Sequence, residues 1–161
     1  MSTPRGRAWL RMLVLGAVVV ALDQAVKAAI VASMAAGERI DLGLGFELVR
    51  VTNSGIAFGL LDEGSDGLVL GITLAALALV LGWFAVDSTR PGQWLGVGLL
   101  IGGAAGNLID RVRLDAVTDF FDPPLWPAFN IADVAITAGV VVIAVAAFAI
   151  PAGNEPETRS P

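Results

Sequence analysis

Two aspartates, Asp119 and Asp133, stand fourteen residues apart in VTDFFDPPLWPAFNIADVAI (117–136), one beside a phenylalanine pair and the other just inside a long apolar run. A carboxylate is costly near lipid unless it is paired or used. Two that meet cannot both ionise cheaply, so they share a proton and titrate together. Such a pair can hydrolyse a peptide bond with neither metal nor covalent intermediate. The ionised member takes a proton from water while the protonated member polarises the carbonyl and then helps the amine leave. Which aspartate starts protonated is not legible at this level. Asp133 also has a purely structural explanation, since Asn130 as N-cap with Asp133 at N3 resembles a capping box.

Other polar residues interrupt the apolar background. Asp23 and Lys27 are at i, i+4 beside Gln24, so they can form an ion pair on one helical face, either as a structural pair reaching the interface or as support for a site between helices. Asn53 in VTNSGIAF reads as a turn residue when taken alone. In GGAAGNLIDR (102–111), Gly102 and Gly106 form a small-xxx-small face for close helix approach, and Asn107 and Asp110 share a helical face. Asp110 is placed at the C-terminal end of its helix, where the dipole disfavours an anion, so pairing with Arg111 or Arg113 is its structural explanation. NLID (107–110) and NIAD (130–133) repeat one Asn-x-x-Asp spacing at the same ends of consecutive helices, so the two can converge if those helices pack at the glycine face.

The elements that must position these groups are membrane helices. The 161 residues are 56% hydrophobic and 16% charged, against about 25% charged in soluble domains, and the mean hydropathy is +0.78. The chain has neither cysteine nor histidine, which removes disulfides, thiolate and histidine catalysis and the zinc motifs built on those residues. A net charge of −5 without a basic stripe argues against nucleic acid. Four segments match the ~20 residues a bilayer core requires: 9–34, 67–86, 94–109 and 131–150. Arg5, Arg7 and Arg11 put the N-terminus in the cytoplasm, and an even number of spans puts both termini there. A cleaved signal peptide over residues 1–30 is the rival reading, which Asp23, Gln24 and Lys27 fit poorly. Between the first two spans Ile40, Leu42, Leu44, Phe46 and Leu48 alternate with polar or small residues, the signature of a strand with one apolar face that needs more sheet or a lipid surface. Three prolines after Asp122 exclude a helix there, and Trp126 is an interface anchor. Residues 1–150 read as one domain; the polar, proline-containing tail 151–161 is expected to be disordered.

Five blocks in order, DQxxK (23–27), NSGIAFG (53–59), GGAAGNLIDR (102–111), VTDF (117–120) and FNIAD (129–133), resemble the lipoprotein signal peptidase (signal peptidase II) family of intramembrane aspartic proteases. The resemblance implies a membrane α-helical fold, a four-transmembrane-helix bundle with a small extracytoplasmic β-cradle after the first helix. It implies Asp119 and Asp133 as the catalytic dyad, with Asn107, Asp110, Arg111 and Asn130 orienting dyad and substrate. Asn53, Asp23, Gln24 and Lys27 would support them, and Gly55 would lie in a loop closing over substrate. The implied substrate is a diacylglyceryl-modified prolipoprotein, cut just before the lipidated lipobox cysteine. No metal or cofactor is implied. The implied setting is the bacterial inner membrane, multi-pass, with the site near the outer leaflet and the protein acting as a monomer among membrane lipid. Thr118 and Val134 depart from residues frequent in the family, which touches hydrogen bonding rather than the acids. Two rivals remain: a proton- or ion-coupled transporter using Asp23, Asp110, Asp119 and Asp133 as relays, and a noncatalytic assembly subunit.

Overall fold

The computed structural model describes residues 3–53 and 65–148. Helix α1 (Pro4–Ser33) leads into a hairpin of β1 (Arg39–Gly43) and β2 (Phe46–Asn53). Helices α2 (Ser65–Val86) and α3 (Gln93–Leu114) follow, then β3 (Val117–Asp122) and α4 (Ile131–Phe148). The four helices fall on the four predicted spans. Helix α1 starts earlier than expected because Thr3 caps it, its Oγ1 accepting from the Gly6 N–H at 3.1 Å, with Pro4 in the first turn. Helix α3 does not stop at Asp110-Arg111 but runs on to Leu114, carrying Arg111 and Arg113 into its last turn, where cations suit the dipole. Both α1 and α3 are long and apolar enough to cross a membrane.

Helix α3 is the centre of the bundle, and glycines let its neighbours approach. A Cβ on Gly102 would stand 2.8 Å from the Gly16 carbonyl oxygen of α1, and one on Gly106 would stand 2.7 Å from Asp23 Oδ2. Gly102 and Gly106 therefore pack mainly on α1, not on α4 as the sequence pattern led us to expect. Helix α4 meets a different face: a Cβ on Gly96 would stand 3.0 Å from the Gly139 carbonyl, and one on Gly103 would collide with the Ala132 carbonyl. Two glycine stripes on one helix thus clamp α1 and α4 around it. Helix α2 closes the far end through Phe84, fully buried against Trp9 with ring centroids 5.0 Å apart and packed with Met12 and Val97.

The alternating segment 39–48 is two strands, not one. Leu44 and Gly45 both have positive φ (58° and 83°), a two-residue reversal of the hairpin kind, after which the polar–apolar alternation resumes in β2. The sheet order is β1-β2-β3, all antiparallel, with Val51 opposite Asp119. Strand β3 carries Asp119 itself and had no counterpart in the sequence reading. Arg50 ties the sheet to α1 by donating to the carbonyls of Val31 (3.2 Å) and Met34 (2.7 Å) at the helix C-terminal end. Ile30, Met34 and Phe120 bury together beneath it, with Leu48, Phe121 and Ile131 alongside. Asp122 closes β3 and pairs with Arg39 at 2.8 Å, which also binds Glu47.

Candidate active site

The polar residues singled out in the sequence converge at the sheet end of the bundle. The segment after β3 turns at Pro123–Trp126 and comes back so that Phe129 and Phe121 exchange backbone hydrogen bonds of 2.9 and 3.0 Å. That return delivers Asn130, the residue preceding α4, beside Asp119. Asn130 Nδ2 donates to Asp119 Oδ1 at 2.7 Å. Its Oδ1 accepts from the Asp133 N–H at 3.0 Å, and its own N–H donates to Asp133 Oδ2 at 3.2 Å. The capping box is therefore real, and the same asparagine bridges it to the other aspartate. One residue thus both caps α4 with Asp133 and hydrogen-bonds Asp119.

Beneath the two aspartates lies an ionic layer. Lys27 Nζ is 2.9 Å from Asp23 Oδ2 and 2.9 Å from Asp110 Oδ2, and it donates to Asn107 Oδ1 at 3.0 Å. Asp23 and Lys27 are 0% and 4% exposed, so this pair is a buried support and does not reach the interface. Asp110 pairs with Lys27 across the helices, not with Arg111 or Arg113. Gln24 Nε2 donates to Asp110 Oδ1 at 2.9 Å and to the Gly106 carbonyl at 3.2 Å. Backbone N–H groups complete the layer: Thr118 donates to Asp110 Oδ2 (3.1 Å) and Ala132 to Asp23 Oδ1 (3.0 Å). Asp23 and Asp110 thereby pin the first residues of α4 and of β3, the elements that carry Asp133 and Asp119. The two backbone partners were invisible in the sequence, because an N–H donor leaves no residue-type signal.

Lysine can only donate, so Asn107 must present Oδ1 to it and turn Nδ2 toward Asp133 Oδ1, where the distance is 2.8 Å. The Asp133 N–H likewise fixes Asn130, leaving its Nδ2 for Asp119 and for Asn107 Oδ1 at 3.1 Å. The amide orientations follow from donor and acceptor counts. Asn53, at the end of β2, donates to the other oxygen of Asp119 at 3.2 Å. Asp119 is only 3% exposed, and burial pushes its carboxyl up to about 6. The Asn53 and Asn130 hydrogen bonds oppose that rise, and the charge of Asp133 adds to it.

Of the residues expected at the site, Asp119, Asp133, Asn107, Asn130, Asp110, Asp23, Gln24, Lys27 and Asn53 form this one network. Arg111 does not join it; it is half-buried in the last turn of α3 with no ion-pair partner among the described residues. Gly55 and the remainder of the NSGIAFG block lie outside the described residues, as does the tail 151–161. Among the described residues no group of acidic side chains is arranged to hold a metal ion.

Comparison with known proteins agrees with this architecture. A family profile described as "Signal peptidase (SPase) II" matches residues 15–149. A lipoprotein signal peptidase of Pelotomaculum thermopropionicum is 39% identical over 134 residues, covering 83% of this chain and 88% of its own. One from Syntrophotalea carbinolica is 42% identical over 144 residues, covering 84% and 89%. A solved structure described as a bacterial membrane enzyme, determined by the in meso method, superposes with a TM-score of 0.78 at 29% identity, covering 87% of this chain and 94% of that one. A profile spanning most of the chain, close relatives of matching length and a shared membrane fold agree: this chain belongs to the lipoprotein signal peptidase (signal peptidase II) family of membrane aspartic peptidases.

Proposed function

We propose that Asp119 and Asp133 form a catalytic dyad that removes the signal peptide from diacylglyceryl-modified prolipoproteins, cutting just before the lipidated cysteine. The observation that carries this reading is the Asn130 bridge, which donates to one carboxylate and is locked in a capping box with the other. It holds two acids in register at the mouth of α4. In this proposal Asp119 takes the acid role, because its burial raises its carboxyl to about 6 and so favours its neutral form. Asp133, receiving hydrogen bonds from Asn107 and the Asn130 N–H at a helix N-terminus, is assigned the base role in this proposal.

In the first step Asp133 takes a proton from a water as its oxygen attacks the scissile carbonyl carbon, while Asp119 gives its proton to the carbonyl oxygen. Asp133 then passes its proton to the departing amine nitrogen. Asp119 recovers the proton from the collapsing hydroxyl, so the product is a free carboxyl and a free amine with the dyad reset. Asn107, Asn130, Asn53, Asp23, Gln24, Lys27 and Asp110 act by positioning. Arg111 and Gly55 have their place in this proposal as contacts to the bound substrate. The N-terminal arginines face the cytoplasm, and the dyad lies at the outer leaflet, where the diacylglyceryl group can remain in lipid while the peptide reaches the acids.

Processing of a diacylglyceryl-modified prolipoprotein by the purified protein tests the assignment. Asp119→Asn and Asp133→Asn are each expected to reduce cleavage by a factor of about 10² to 10⁴ or more while the protein stays folded in detergent. Substantial cleavage by either variant would remove the dyad. Unlipidated substrate is expected to be cut poorly, and equal rates for both forms would remove the lipid requirement.

A further inference from the structure

The end of the bundle remote from the dyad carries a second polar–apolar constellation that catalysis does not use. Arg7 and Arg11 lie one turn apart on α1, facing the α2–α3 connection. Together with Ser88, Thr89 and Arg90 they line a cavity of about 220 Å³. That is smaller than the roughly 300–1,000 Å³ of pockets that enclose whole small molecules, and it suits a headgroup. Arg90 and Thr89 are already engaged by Asp87, at 2.7 and 3.0 Å. Arg7 and Arg11 have no ion-pair partner among the described residues. Ser88 Oγ is the sharper observation: the residue is 1% exposed, it lines this cavity, and its hydroxyl has no hydrogen-bond partner among the described residues. An unsatisfied buried hydroxyl that lines the same cavity as two guanidiniums without ion-pair partners among the described residues suits an anionic acceptor.

A second cavity adjoins the first. An apolar groove of about 410 Å³ is lined by Leu10, Val14, Leu15 and Val18 and shares Arg11 and Trp94 with the basic cavity. The Arg11 guanidinium lies 5.8 Å from the Trp94 ring centroid, so this pair marks the seam between them. From Leu10 to Val18 the groove follows α1 for roughly 12 Å, comparable with the ~15 Å depth of one leaflet. Cations and a buried hydroxyl at the helix end, continuous with an apolar channel running into the membrane, match an amphiphile with an anionic head. A cationic peptide segment would be repelled by the same arginines.

We propose that this junction of α1 with the start of α3 binds one anionic phospholipid of the leaflet at the N-terminal end, its phosphate against Arg7, Arg11 and Ser88 and one acyl chain along Leu10, Val14 and Val18. The site lies about 24 Å along α1 from Asp23. It uses no group of the dyad network, so lipid retention and substrate cleavage fail separately.

The test is native mass spectrometry of the full chain in neutral detergent, equilibrated with equal amounts of phosphatidylglycerol and phosphatidylcholine. One phosphatidylglycerol is expected to be retained in preference by about tenfold. Arg7→Gln/Arg11→Gln is expected to bring the two lipids to parity, with prolipoprotein cleavage unchanged as the control for folding. Val14→Trp fills the groove without altering charge and is expected to reduce phosphatidylglycerol retention by itself. Equal retention by the unaltered protein, a preference surviving both variants, or displacement by millimolar inorganic phosphate would each overturn the proposal; the last would mark a free-phosphate site.

Discussion

Lys27 is the residue on which the orientation of the site depends, since its three partners, Asp23, Asp110 and Asn107, belong to two helices and to both halves of the network. Lys27→Met would leave two buried carboxylates without their cation, a loss of about 3–5 kcal/mol. It would also free Asn107 to turn its amide away from Asp133. A large fall in melting temperature together with lost cleavage is expected, and a melting temperature close to that of the unaltered protein would contradict the network. Asp119 gives a pH signature. Its carboxyl is raised from the unfolded ~3.9 to about 6, so its neutral form is favoured in the fold. Its stabilising contribution is therefore complete below the unfolded value and is lost as pH rises through about 6. Asp119→Asn is accordingly expected to raise the melting temperature at pH 8, with the gain disappearing toward pH 4. In kcat/KM profiles the same proton gives an alkaline limb beginning near 6, and Asn53→Ala, which removes a bond that lowers the value, should move that limb upward. The acids and asparagines were legible in the sequence because polar groups in an apolar chain are conspicuous. The i, i+4 rule foretold the Asp23–Lys27 pair, but it speaks only within one helix and so missed the link from Lys27 to Asp110.

At the scale of elements, close approach to α3 sets the positions of Asn107 and Asp110 relative to α1 and α4. The same chemical change should have opposite effects at a crowded glycine of α3 and at an open glycine of α2. Gly103→Ala drives a methyl into the carbonyl of Ala132, the residue whose N–H donates to Asp23, and is expected to lower the melting temperature and cleavage together. Gly82→Ala in α2 meets nothing within 4 Å and is expected to leave cleavage unchanged and stabilise by up to about 1 kcal/mol of helix propensity. Equal responses in thermal unfolding would show that helix spacing does not position the site. Helix existence was readable from hydropathy alone, but which glycine face meets which helix was not, because α3 is small on two sides. Strand β3 was missed for a different reason. Its six residues bury from both sides at Val117–Phe120, so no alternation marks them, and its pairing with β2 crosses more than sixty residues of chain. The hairpin turn was hidden because Leu44, at φ 58°, keeps the apolar alternation running through a reversal.

For the molecule as a whole, the two ends of the bundle differ in kind. One end gathers the sheet, the dyad network and the exposed apolar residues Leu44 and Leu125, 95% and 104% exposed. The other gathers Arg5, Arg7, Arg11 and Arg90 around the helix termini, with Arg5 donating to the carbonyls of Ala85 and Val86 at the end of α2. Arginine number does not set the ends apart, since Arg39, Arg50, Arg111 and Arg113 lie at the sheet end; the exposed apolar loop tips there suit a sheet lying on a bilayer surface, and the proposed orientation rests on the N-terminal cluster Arg5, Arg7 and Arg11. Because the chain has no cysteine, each end can be reported by a single introduced thiol. Leu44→Cys at the hairpin tip is expected to react with a membrane-impermeant maleimide in intact spheroplasts. Pro91→Cys, in the exposed α2–α3 connection, is expected to react only after the membrane is opened. The reverse pattern would place the Asp119–Asp133 network at the cytoplasmic leaflet, opposite to the proposed arrangement. That outcome would overturn the orientation while leaving the hydrogen-bonded network intact.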